Sequence, residues 1–242
     1  MEVKLIAYTQ LTPAFAYTFP NEDWLGQVTN GRAVALTAIR SCYSHRKPTE
    51  IVKEEGEKYF GKEASDGGDG TDADRLFRHI VRSGHTSTLE HLSFTFAIEG
   101  ISRACLAQLT RHRVGFSYSV QSQRYVRFGK DDKSGGFDYV APGRIEENER
   151  AKIIYSVGMG LIQQLYDELR AEGIPPEDAR MILPQAAKTN LVMTANLRAL
   201  LDFYKKRRPG SGAQWEIAEL AERLKREVIE YEPWTERFFE ED

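Results

Sequence analysis

Between Glu99 and Asp131 the chain holds no carboxylate, yet it places Arg103, Arg111, Arg113, Arg124, Arg127 and Lys130 there. The whole protein carries a formal net charge of -3 over 242 residues. Cations without partners are too costly to bury, so this window must lie at a surface or around anions. Its centre, Arg111 to Phe128 (RHRVGFSYSVQSQRYVRF), interleaves arginines with Ser117, Tyr118, Ser119, Ser122 and Tyr125. Guanidinium forks and neutral hydroxyl donors together match phosphate oxygens. From the residues alone two readings stand: an anion site, above all for phosphates, and a solvated basic face whose arginines pair with distant acids.

Composition narrows the class. At 41% hydrophobic and 29% charged the chain has the make-up of a soluble globular protein with a real core. One domain is expected over 1–242. A pI near 6.0 argues against a general nucleic-acid binder, whose positive field spreads over a whole face. Cys42 and Cys105 are far apart and form no CxxC, which fits a reduced, cytoplasmic protein. The first residues lack the pattern of a signal peptide. No run of about 18 apolar residues is present, so no membrane span is expected.

Periodicity predicts a first strand over Glu2–Tyr8, an aromatic loop through Pro13 and Pro20, and a helix over Gly31–Arg40 that delivers Cys42 to its end. Further helices are expected over Pro48–Phe60 and Thr71–Ser83, the second capped by Thr71 and Asp74 and stopped by Gly84. The segment 61–70 reads as a surface loop. Leu92, Phe94, Phe96 and Ile98 alternate with smaller or polar residues, the pattern of a strand with one buried face. Ile101–Arg113 reads as a helix that sets Gln108 and Arg111 on one face. Glu146–Ala171 reads as one long helix with Ile154, Val157, Leu161 and Leu165 on a core stripe. Pro176–Leu183, Asn196–Arg207 and Ala213–Ile229 complete the helices, and 184–195 receives no element. The expected class is α+β, with helices packed around a small, mostly antiparallel sheet.

Two further clusters carry chemistry. His85–His91 (HTSTLEH) packs histidine, hydroxyl and carboxylate groups into a helix-to-strand turn, but two histidines six apart without a third ligand make a poor metal site, so no metal is expected. Arg180, Asn196, Arg198, Arg207 and Arg208 form the other, with Asn196 and Arg198 at a helix start that favours anions. GxGxxG, GxxxxGK[ST], GxSxG and CxxC are all missing from the sequence.

Taken together these stretches resemble the flavin-dependent thymidylate synthases, the ThyX family. Its signature is RHR, a short spacer, then Ser; here it is Arg111-His112-Arg113, eight residues, then Ser122-Gln123-Arg124-Tyr125. Gly84-His85, Glu90-His91, Ala179-Arg180, Asn196-Leu197-Arg198 and Ala213-Gln214-Trp215-Glu216-Ile217 accompany it. The resemblance implies methylation of dUMP to dTMP, with FAD as cofactor and methylenetetrahydrofolate and NADPH as co-substrates. It implies that Cys42, His85, Ser87, Glu90, Arg111, His112, Arg113, Asn196 and Arg198 hold FAD, the last two from a neighbouring subunit. It gives dUMP to Gln108, Ser122, Gln123, Arg124 and Arg180, with Arg124 on the phosphate. Arg207 would lie against the uracil ring. Ser122 as a covalent nucleophile is a rival to catalysis by Arg207 and the flavin alone. The implied assembly is a homotetramer with shared sites, and neither nucleic acid nor membrane is an expected partner.

The sequence departs from the family pattern in places. Gly212 stands where the family carries His or Arg, and the loop before it is one residue longer, so Arg207 and Arg208 both qualify for the uracil. Val120 stands where Glu or Gln is frequent. Two competing classes remain: a phosphate or single-stranded RNA-binding module with Phe116, Tyr118, Tyr125 and Phe128 stacking bases, and a flavin reductase without methyl transfer.

Overall fold

Alternation decides the strands and capping decides the helices. The computed structural model describes residues 1–240. In chain order these form β1 (Glu2–Tyr8), α1 (Pro13–Ala16), α2 (Asn30–Ser41), α3 (Ile51–Phe60), α4 (Asp72–Arg82), β2 (Ser93–Ser102), α5 (Arg103–Leu109), β3 (Phe116–Val120), α6 (Gly143–Glu146), α7 (Glu149–Ala171), α8 (Pro176–Ala179), β4 (Lys188–Asn196), α9 (Leu197–Arg207), α10 (Trp215–Tyr231) and α11 (Glu236–Glu240). The α+β expectation holds. The four strands form one sheet in the order β1-β2-β4-β3. Thr95 meets Thr194 and Gly100 meets Asn190; Gly115 meets Asn196 and Gln121 meets Asn190. Numbers rise on one strand as they fall on the next, so these pairs are antiparallel. Phe94, Phe96 and Ile98 of β2 are buried, as a period of two requires.

The chain divides into two compact units. The first comprises Met1–Glu2, Ala97–His112 and Tyr118–Met193; the second comprises Val3–Phe96, Arg113–Ser117 and the chain from Thr194 onward. In the second unit Leu36, Ile39, Phe77, Ile80, Leu200, Phe203, Ile217, Leu220 and Leu224 are buried. The expected cap of α4 is present: the Asp74 carboxylate accepts from Thr71 N–H at 2.8 Å and from Thr71 Oγ1 at 2.9 Å. Gly84 ends the segment at φ 74°, the left-handed conformation that glycine adopts most easily. The N-terminus of α2 is closed by Glu232, which accepts Gly31 N–H at 2.9 Å, the Thr29 hydroxyl and Trp234 Nε1–H at 2.6 Å. Burial pushes the Glu232 carboxyl above the usual carboxylate range, while these donors pull it back.

In the first unit Phe128, Tyr166 and Ala179 form a buried cluster with Phe137, Leu169 and Ile182 packed against it. Gln163 on α7 donates to Phe128 O at 2.8 Å and accepts Phe137 N–H at 2.9 Å, and the Tyr166 hydroxyl accepts Phe128 N–H at 3.2 Å. This inner face satisfies the backbone of an irregular segment, which is why it carries Gln and Tyr where leucines were expected.

The structure corrects several expectations. Ile154, Val157, Leu161 and Leu165 are exposed, at 65%, 65%, 55% and 44%, so the stripe of α7 is not a core stripe. That helix begins at Glu149, where the Asn148 side chain accepts Ala151 N–H at 3.0 Å, and α6 is a separate turn. The helix over Ile101–Arg113 shrinks to α5: Ser102 caps it through Cys105 N–H at 2.9 Å and Leu109 ends it. Arg111 therefore lies beyond the helix rather than on one face with Gln108. Pro48–Glu50 precede α3 instead of opening it. Pro176–Leu183 divides into α8 and a 3-10 turn over Arg180–Ile182. β4 occupies the segment that had no element, and β3 runs through the arginine stretch.

Candidate functional site

The basic cluster of the first unit is built by α5, the turn after β3 and the Arg180–Ile182 turn. Arg124 Nε sits 2.8 Å from Glu177 Oε2, and Arg180 Nε donates to Glu177 O at 3.0 Å. Two arginines thus converge on one residue. Arg103 joins them: its Nη2 donates to Gln121 O at 3.0 Å, while its Nε is buried with no hydrogen-bond partner. Burial first, then the positive charge of Arg180, pull the Arg103 guanidinium below its ordinary range. A buried donor aimed at nothing, beside a second cation, is the signature of a place for an anion. Sequence reading counted Arg103 in the basic window but gave it no role. The available signal was a lone arginine at the start of an otherwise small and apolar helix.

The other members have local roles that fix their geometry. Ser122 Oγ accepts Arg124 N–H at 3.2 Å, an ordinary serine turn that shapes the backbone under the arginine. Among the described residues no imidazole or carboxylate bonds that hydroxyl, so no base activates it. Gln123 lies half-buried beside it, and Gln108 Nε2 reaches only Ala104 O, at 3.5 Å. Arg111 is exposed on the turn after α5, and His112 is half-buried. The Tyr118 hydroxyl pins this turn by donating to His112 O at 2.7 Å and Leu109 O at 3.1 Å. Burial raises that phenol above its usual range, so it stays a donor.

A cavity of about 670 Å³ opens in the second unit, and Arg82, Thr86, Glu90, Asn196, Arg198 and Lys205 supply its polar lining. Arg198 Nη1 lies 2.5 Å from Glu90 Oε1. Both side chains are about half exposed, so this pair is weak and easily exchanged for a ligand. Asn196 Oδ1 accepts Ala199 N–H at 2.9 Å and caps α9, which leaves its amide hydrogens available. Gly115 approaches both: a Cβ there would lie 2.7 Å from Asn196 Nδ2 and from the Ala199 Cβ, at a φ of 75°. Only glycine fits.

The remaining members of the second unit are dispersed over its surface. His85 opens the Thr86–His91 turn, its Nδ1 3.0 Å from the Tyr43 hydroxyl. Ser87 is exposed on that turn; Cys42 is exposed just after α2, next to Tyr43; Arg113 is exposed before β3. Arg207 ends α9 and Arg208 follows it, both half-buried. Arg208 lies in the field of the Tyr204 phenol, which burial and Glu222 push up to about 12. The Gln214 side chain accepts from Glu216 N–H at 3.0 Å and Ile217 N–H at 3.4 Å, so this motif starts α10, and Gly212 before it takes a φ of 80°. Among the described residues no group of three or more His, Cys, Asp or Glu is placed to hold a metal. No described helix is long and apolar enough to cross a membrane.

An α+β scaffold that carries a half-buried to exposed arginine cluster in one unit and a cavity of mixed charge in the other has the donors of an anion-binding protein. A family model described as thymidylate synthase complementing protein matches residues 25–234. A flavin-dependent thymidylate synthase of Geobacter sulfurreducens is 44% identical over 158 residues, covering 65% of this chain and 66% of that protein. One from Clostridium tetani is 33% identical over 220 residues, covering 84% and 80%. The chain thus spans just under two thirds of the first relative's length. Among solved structures, thymidylate synthase X of Helicobacter pylori with FAD and dUMP superposes with a TM-score of 0.64 at 24% identity, covering 99% of this chain and 98% of that one. The chain belongs to the flavin-dependent thymidylate synthase family.

Proposed function

We propose that this chain methylates dUMP to dTMP as one functional domain, with methylenetetrahydrofolate as one-carbon donor, NADPH as reductant and FAD as cofactor. The observation that carries the reading is the Arg103–Arg124–Arg180 cluster with its orphaned buried Nε. A nucleotide phosphate there satisfies that donor and offsets the repulsion between Arg103 and Arg180. Arg124 exchanges its exposed pair with Glu177 for the phosphate. Gln108, Ser122 and Gln123 supply neutral hydrogen bonds that orient the nucleotide. Family membership supports the nucleotide being dUMP, and the match over 25–234, which runs through both compact units, supports one domain.

The residues around the cavity of the second unit fit a flavin dinucleotide in kind. Glu90 suits ribose hydroxyls; Arg198, Asn196 and Thr86 suit phosphates and ring edges; His85, Ser87, Cys42 and Arg113 extend the donor set of this unit. Bound reduced flavin supplies the hydride that completes the methyl group. Arg207 holds a uracil oxygen and stabilises the negative charge that builds as C5 takes the one-carbon unit. The C5–H proton leaves to water once the new C–C bond has formed. Ser122 acts by binding rather than by attack, since its hydroxyl has no base. Sites shared within a homotetramer complete the arrangement, and the two free cysteines support a cytoplasmic setting.

Flavin absorbance titrated with dUMP, together with tritium release from 5-tritiated dUMP, tests this. Arg124→Ala is expected to weaken dUMP roughly 10- to 100-fold while flavin stays bound. Unchanged dUMP affinity would refute the phosphate assignment. Flavin reduction without tritium release would favour a reductase, and salt-sensitive binding of single-stranded RNA by colourless protein would favour the binding module.

A further inference from the structure

Two helix ends bring a tyrosine hydroxyl to His85. Helix α4 closes with a Schellman turn: Gly84 N–H donates to Val81 O at 3.1 Å and His85 N–H donates to Ile80 O at 3.1 Å. The Thr88 hydroxyl then donates to His85 O at 3.2 Å. The backbone of His85 is therefore held from both sides. Helix α2 ends with the N–H groups of Cys42 and Tyr43 donating to Ile39 O at 3.1 Å and Arg40 O at 2.9 Å. Tyr43 is 62% exposed, yet its ring meets the His85 ring edge-on, with centroids 5.9 Å apart at 89°. Its hydroxyl lies 3.0 Å from His85 Nδ1. Among the described residues neither atom has a second partner, and His85 Nε2 has none.

In a neutral imidazole one nitrogen carries the proton and the other accepts. A phenol donates its hydrogen readily but is a weak acceptor, because its oxygen lone pair is drawn into the ring. An imidazole nitrogen is a strong acceptor. The better arrangement of this pair is therefore O–H donating to Nδ1, which leaves the imidazole proton on Nε2.

We propose that Tyr43 is a positioning residue that holds His85 as a hydrogen-bond donor through Nε2, presented to an acceptor edge of the flavin. The proposal rests on the reading above that His85 meets the cofactor, and it names what orients that histidine. Carbonyl oxygens and unprotonated ring nitrogens line one edge of an isoalloxazine. A donor fixed in advance suits them, whereas an unsteered imidazole would meet them with a lone pair in part of the population.

Long-range proton–nitrogen NMR correlation tests this on the full chain, labelled at histidine with heavy nitrogen, with and without FAD. The chain has 5 histidines, and His85→Gln assigns the signals that matter. The parent is expected to show His85 Nδ1 as an unprotonated nitrogen and Nε2 as a protonated one. Tyr43→Phe keeps the ring contact and removes the hydroxyl, so the two signals should move toward each other as the tautomers mix. FAD affinity, read from flavin fluorescence, is expected to fall roughly three- to tenfold in Y43F. Adding Y43F to H85Q should change it by less than about twofold, because Tyr43 acts through the imidazole. Tyr17→Phe, at a side chain 88% exposed, is the control and should move neither readout. Nitrogen signals in Y43F identical to those of the parent would overturn the proposal, as would an equal loss of FAD affinity with and without His85. If no FAD binds, the cofactor reading fails, and the nitrogen signals still decide whether Tyr43 sets the proton.

Discussion

Helices α7 and α10 carry the same kind of stripe and meet opposite fates. On α10, Ile217, Leu220 and Leu224 are at most 2% exposed; on α7, Val157 and Leu161 are more than half exposed. Period alone does not separate them. The inner face of α7 is given over to Gln163 and Tyr166, which satisfy backbone groups around Phe128 and Phe137, so its leucines turn outward. On α10 Ile217, Leu220, Leu224 and Val228 face inward, together with Glu216. An apolar stripe promises that a face will be covered, and says nothing about whether the cover lies in the same chain.

The contrast can be broken by measuring which losses depend on protein concentration. Leu220→Ala on α10 should cost about 2–5 kcal/mol in urea unfolding, at any concentration, because its cavity lies within one chain. A loss under about 1 kcal/mol would show that α10 is not a core helix.

Asp72→Asn comes next. Hydrogen bonds from Arg75, then from Ser65, hold the Asp72 carboxyl well below its ordinary 3.8 against the opposing cost of burial. A lowered folded value means that its stabilisation is fully present above about pH 4 and fades as pH falls through the folded value. The variant should lose about 1–3 kcal/mol at pH 7 and progressively less below pH 4. A penalty that does not change with pH would remove the charge from the explanation.

Asn196→Ala removes the cap of α9 and should cost about 1 kcal/mol, again at any concentration. Smallest in a dilute sample is Leu161→Ala on α7, expected within about 0.5 kcal/mol of the parent there. Its deficit should grow as protein concentration rises, since only the associated state uses that side chain. A deficit already full at high dilution would mean that the stripe of α7 is buried within one chain after all.

How far these features were legible in the sequence follows the same division. Local rules worked where cause and effect are close along the chain: Thr71 and Asp74 cap α4, Gly84 ends it, and β2 buries every second residue. β4 was legible in principle, since Thr189, Leu191, Met193 and Ala195 alternate with exposed or half-buried neighbours, but its Asn and Thr content muted the apolar signal. Arginine content flagged the basic cluster, yet the role of Arg103 rests on contacts with Gln121 and Arg180, distant in sequence and invisible to spacing. The outward turn of the α7 stripe was illegible for a like reason: the groups claiming its inner face are backbone atoms, which leave no mark on the sequence.

The carboxylate that closes α2 has a consequence for how the protein is made. Gly31 N–H waits for Glu232, 201 positions later, and a Cβ on Gly31 would lie 2.5 Å from that side chain. An emerging chain can form α2 early but cannot finish its N-terminal end until Glu232 has left the ribosome. Consolidation of this unit therefore waits for residue 232 to emerge, and chains stalled or clipped upstream of Glu232 should be the preferred prey of cellular proteases.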